Sequence, residues 1–249
     1  MRRQVVLAPP PAPIAAQVAW EEIFVVLSLS LLQPAVWAVI SLFRLPVAGI
    51  AIASANQGAS FTDQLVPFVF ELAPVLLVVH LLRRSGEGLA VVGLVPDRPR
   101  RDIGRGVLLF VLIGLGGIAV YLGAVQLGVN RFVVPAPPAG YWWTYPAVLM
   151  NGVGAALLEE LIVLGYLVTR LQQVGWPALA AVVGSALLRG GYHLYQGWGG
   201  FAGNLAMGLI FGWLFVRTRR LWPFVVAHLL LDVGAAVGFL LFKHHLPGF

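Results

Sequence analysis

Seven near-continuous apolar runs divide the chain, near residues 23–43, 64–82, 104–128, 143–168, 176–194, 200–216 and 222–242. Such runs suit helices crossing the hydrocarbon core of a bilayer, about 30 Å thick. Only helices and closed barrels satisfy their backbone polar groups in lipid, and runs of this length fit helices. The pattern predicts an all-α fold, a polytopic transmembrane helix bundle of seven to eight spans. An eighth candidate, 46–54, is apolar but short and follows Arg44; it reads as a partial or re-entrant helix as readily as a crossing. Residues Pro135–Trp143 read as a proline-rich external loop ending in an aromatic anchor at the interface.

Composition strengthens this reading. Hydrophobic residues make up 59% and charged residues 10%, against about 25% charged in soluble domains. The net charge of +6 comes without a basic cluster interleaved with aromatics, so nucleic acid is not an expected partner. The arginines instead follow the bias of cytoplasmic loops. With the N-terminus in the cytoplasm, seven spans place Arg2, Arg3, Arg83, Arg84, Arg98, Arg100, Arg101, Arg105, Arg170, Arg217, Arg219 and Arg220 inside. Arg44, Arg131 and Lys243 fall outside. The expected location is the cell (plasma) membrane, multi-pass.

Prolines 9–11 and 13 interrupt any signal-like apolar segment, so 1–20 is expected to be a cytoplasmic leader. Residues 21–106 hold the N-terminal spans and a charged cytoplasmic linker, with Ser85–Gly106 the candidate hinge. Residues 107–142 form a span and an external loop, 143–242 a four-helix core, and 243–249 a short tail. The absence of cysteine excludes disulfides, thiolate metal sites and a cysteine nucleophile.

Candidate chemistry gathers in the second half. Glu159 and Glu160 are adjacent near the middle of an apolar run. A charge at the bilayer centre is disfavoured by at least about 2.5–3.5 kcal/mol, so such residues are usually paired and functional. Arg189 and His193 are four apart in the next run, as are His228 and Asp232 in the last. That spacing puts both members of each pair on one helix face. Three helices with polar faces are tolerated in lipid if those faces converge on a partly hydrated interior. Gly208 and Gly212 favour close helix approach. In the first half, Glu71 lies beside Pro74, and His80 reads as interfacial, as do His244 and His245 beyond the last span.

These groups suit peptide hydrolysis. A carboxylate with a nearby imidazole can deprotonate a water, and a second imidazole can donate to the oxygen that becomes negative. Alternatively Glu159, His193 and His228 can hold a divalent metal such as zinc with an open fourth position. Both routes stay open at this stage. There is no serine in a G-x-S-x-G context and no H-E-x-x-H helix.

The order Glu159-Glu160 with Gly165-Tyr166, then Tyr192-His193, then Leu221-Trp222-Pro223 before His228 and Asp232 resembles the CPBP family. These are the intramembrane CAAX-protease and bacteriocin-processing (Abi) proteins. The resemblance covers roughly 143–240. It implies that Glu159 activates the hydrolytic water with help from His193, that His228 and Asp232 stabilise the oxyanion, and that Glu160 forms a structural ion pair. It also implies membrane lipid as surroundings, and a peptide or protein substrate with a membrane-embedded or lipidated segment. Two positions depart from the family pattern: Leu164 stands where the family has arginine, and Arg189 where it has an aromatic residue. Arg189 is therefore expected to replace the missing cation and pair with Glu160. The alternatives in other classes are a catalytically inactive membrane scaffold or chaperone on the same fold, and a proton-coupled transporter.

Overall fold

The computed structural model describes residues 14–44, 50–52, 60–129, 132–134 and 137–242. These residues form an all-helical bundle, apart from two strands of three residues. The chain runs through α1 (Ala16–Ser30), α2 (Leu32–Arg44), β1 (Ile50–Ile52), α3 (Phe61–Arg84), α4 (Pro99–Gln126), β2 (Phe132–Val134) and α5 (Thr144–Glu159). A π-helical segment (Glu160–Tyr166) then leads into α6 (Leu167–Gln173), followed by α7 (Ala178–Tyr192), α8 (Trp198–Thr218) and α9 (Trp222–Phe242).

Five of these are long and apolar enough to cross a membrane: α3, α4, the continuous Thr144–Gln173 helix, α8 and α9. The 23–43 run is one bent pair, α1 and α2, with 58° between them. Pro34 explains the break, because its ring crowds the carbonyl of Ser30 and it has no N–H to offer there. The 176–194 run yields only the 15 residues of α7, about 22 Å at 1.5 Å per residue and short of a full crossing. Gly190 and Gly191, poor helix formers, lie in its last turn. Residues 50–52 form a strand that pairs in parallel with 132–134, so that part of 46–54 is not helical. The neighbouring residues 46–49 and 53–54 lie outside the described residues.

The Thr144–Gln173 helix is the axis of the molecule. Residues 160–171 are buried throughout, a pattern expected of a helix surrounded by others and not by lipid. The α5 half packs on α3 and α9, while α7 packs on α8. The α7–α8 contact depends on the two glycines. A Cβ at Gly208 would lie 3.0 Å from the Ala186 Cβ, and one at Gly212 only 2.6 Å from Val182 Cγ1. This is the close approach that small residues permit.

Ser85–Gly106, the candidate hinge, is held to the rest of the bundle at several points. Leu221 N donates to Gly93 O at 2.8 Å. Arg220 bonds Asp102 at 2.5 and 2.8 Å, Asp97 at 2.7 Å and Val95 O at 3.1 Å. The Arg220 hydrogen bond holds the Asp97 carboxyl below the usual carboxylate range. Asp102 and then Asp97 push the Arg220 guanidinium up. Arg170, which its position suggested to be a water-facing loop cation, is instead fully buried at 0% exposure. It meets Glu87 at 2.5 Å and Glu22 at 3.3 Å.

Candidate active site

Glu159 is the last residue of α5, and Glu160 opens the π-helical turn. Single turns of this kind interrupt the regular ladder and recur at functional positions. Here Ser185 of α7 donates to Val163 O at 2.6 Å and so satisfies a carbonyl inside the irregular turn. Neighbours on a regular α-helix point about 100° apart. Yet both carboxylates meet one guanidinium from α7: Arg189 Nη2 donates to Glu160 Oε1 and stands 3.4 Å from Glu159 Oε2. Arg189 is itself 2% exposed. Its neutralising partners are therefore these two acids and not water.

The cluster extends into α9. His228 Nδ1 lies 2.8 Å from Glu160 Oε1, and its Nε2 lies 3.5 Å from Asp232 Oδ2. The side chain of Glu160 is 0% exposed, that of Glu159 16% and that of Asp232 41%. The site is thus closed at Glu160 and opens towards Glu159 and Asp232. Glu160 Oε2 has no hydrogen-bond partner among the described residues, although it is buried.

His193 stands one residue beyond α7 and caps it, its Nδ1 lying 2.9 Å from Arg189 O. A carbonyl can only accept, so Nδ1 carries a proton, and in the neutral ring Nε2 keeps a lone pair. Both imidazoles lie within electrostatic reach of Glu159. Five of the six residues that the sequence singled out form one connected chain: Glu159, Arg189, Glu160, His228 and Asp232. His193 joins it through the Arg189 backbone.

Glu159, His193 and His228 do not assemble as a metal set. Among the described residues, no three His, Asp or Glu side chains stand close enough together to hold an ion. The Arg189 guanidinium also occupies the position between the acids, where a dication would have to compete with it.

Tyr192 was not given a role from the sequence. Its hydroxyl donates to Glu159 Oε2 at 2.7 Å, making it the nearest donor to that oxygen. The available signal was its position, three residues after Arg189, which places both on one helix face. Glu71 also acquires surroundings: a Cβ at Gly154 would lie 2.6 Å from its Oε2, so the glycine leaves room for a carboxyl between α3 and α5. His80 is exposed, while His244 and His245 lie outside the described residues.

Residues 141–234 match the family model for type II CAAX prenyl endopeptidases, Rce1-like. The matched segment runs from just before α5 to just beyond Asp232, and so contains every residue of the cluster. It agrees with the resemblance read from the motifs. The match covers less than half of the chain, and the long apolar helices before and within it fit a multi-pass membrane protein. No curated protein and no solved structure matches the chain.

Proposed function

We propose that this protein is an intramembrane endopeptidase in which Glu159 is the general base. Glu159 takes a proton from a water, with His193 Nε2 as the second acceptor, and the hydroxide adds to the scissile carbonyl. The carbonyl oxygen becomes negative and is met by the Nε2–H of His228. Asp232, whose Oδ2 lies 3.5 Å from that Nε2, acts through His228 by orienting the ring until the carbonyl oxygen takes over the N–H. The proton held by Glu159 passes to the leaving nitrogen as the C–N bond breaks. Glu160 and Arg189 hold the framework: their pair ties the α5–α6 helix to α7, and Glu160 ties it again to His228 on α9.

One observation carries this reading. Two acids, an arginine and an imidazole from three helices meet in a core that is sealed at Glu160 yet open at Glu159 and Asp232. A purely structural cluster has no need of an opening or of a second imidazole. The arginine-rich loops support an orientation with the N-terminus in the cytoplasm.

The test is cleavage of a fluorogenic prenylated peptide by purified protein, comparing wild type with Glu159→Ala. Loss of cleavage in the variant supports the reading, and unchanged cleavage removes Glu159 as the base. Absence of cleavage in both would leave the scaffold, a role that apolar Leu164 at the family's arginine position favours. Full activity in the presence of a chelator is the expected result.

A further inference from the structure

We infer that Tyr192 is a positioning residue that keeps Glu159 in its working orientation. This rests on the proposed role of Glu159 as the base. The end of α7 presents Arg189 and Tyr192 three positions apart, so both address the same neighbour, and His193 follows as the cap of the helix. Tyr192 and Arg189 meet the same oxygen, Glu159 Oε2, with the phenol at 2.7 Å and the guanidinium at 3.4 Å. The shorter contact belongs to the neutral donor.

That arrangement has a chemical consequence. A free Glu carboxylate turns about its last C–C bond, and a guanidinium beside it favours a two-point grip on both oxygens. A base gripped in that way has only its outer lone pairs left for water, with neither oxygen set apart for it. The phenol prevents this by fixing Oε2 from one side, which assigns Oε1 to the hydrolytic water. Tyr192 is suited to the task because it is itself held. Its ring is 5% exposed and lies 4.7 Å, centroid to centroid, from the His193 ring. A phenol so deeply buried needs an acceptor, and the carboxylate supplies one.

The experiment is Tyr192→Phe in the full-length purified protein, which removes one oxygen and keeps the ring. It is measured against the prenylated peptide beside wild type and Glu159→Ala. The expected result is a fall in kcat of about tenfold to a hundredfold, the range for losing a hydrogen bond to a charged group. KM and the melting temperature should stay near wild type. An unchanged kcat, a change confined to KM, or a loss of folded protein without loss of kcat per folded molecule would each overturn the inference. In all three cases active wild type and inactive Glu159→Ala leave the proposed function standing. Inactive wild type would remove the proposed function, and this inference with it.

Discussion

Two arginines are sealed into this bundle, and each meets two glutamates and a tyrosine. Arg189 has Glu159, Glu160 and Tyr192 beside it. Arg170, nineteen positions earlier on the other side of the π-helical turn, has Glu22, Glu87 and the ring of Tyr166, with Gln173 at 2.6 Å. Tyr166 also donates to Glu22 Oε2 at 3.2 Å. The inventories are nearly alike, and the difference lies in what else is present. The acids around Arg170 come from α1 and from the linker after α3, and among the described residues no imidazole joins them. That cluster ties three distant segments together. The acids around Arg189 are adjacent in sequence, one imidazole bonds Glu160, and both imidazoles lie within reach of Glu159. A buried ion pair by itself thus indicates structure, and what sets the Arg189 cluster apart is its imidazole neighbours.

Substitutions can break or sharpen this contrast. The largest effect is expected for Glu159→Ala, which should lower cleavage by about 10²–10⁴-fold, the contribution of a general base, while the melting temperature holds. Arg170→Leu should do the reverse. It leaves two acids without their cation, so stability measured by thermal unfolding in detergent should fall by about 3–5 kcal/mol, while kcat per folded molecule is retained. If Arg170→Leu abolished activity in protein that remains folded, the two clusters would not be separable in the way described.

Arg189→Leu should both destabilise the protein, by a similar amount, and inactivate it, because in the proposed function its cluster is structural at Glu160 and chemical at Glu159. Adding Leu164→Arg, at the position where the family carries the cation, should restore part of the stability. A double variant no more stable than the single one would refute the exchange of one cation for another.

The smallest effect concerns Asp97 and Arg220, a third ion pair that is open to water. Because folding holds the Asp97 carboxyl below its ordinary value, the pair contributes stability above the unfolded carboxylate's range. That contribution is lost as the pH falls through the lowered value. Asp97→Asn should therefore differ slightly from wild type in thermal unfolding near neutral pH and not at all in strong acid.

Much of this was legible because lipid imposes simple rules. An apolar run of about twenty residues must be helical, and Glu159, Glu160, Arg189 and His228 had to find each other because lipid offers them nothing else. What escaped the sequence depended on local geometry. Pro34 was visible, but the 58° bend it introduces between α1 and α2 was not. The short length of α7 follows from Gly190 and Gly191 acting together with the His193 cap, which no hydropathy window detects. Arg170 looked like a loop charge because it lies close to Gln172, Gln173 and a glycine. Its burial depends on Glu22 and Glu87, whose approach is a tertiary event. Tyr192 was hidden for a similar reason: a tyrosine in an apolar run reads as packing until its hydroxyl is seen against a carboxylate.

The seven residues from Glu160 to Tyr166 also fix an angle. They join the helical stretch bearing Glu159 to the one bearing Arg170, and a turn wound more loosely than its neighbours sets how far one is rotated against the other. Winding the same seven residues to the ordinary pitch would add rotation at each of them and would swing everything downstream around the axis. Arg170 would then face away from Glu22 and Glu87 while Glu159 stayed in place. The winding of this stretch acts as a dial between the two halves of the helix, and with the same residues held at regular pitch only one of the two arginines could find its partners.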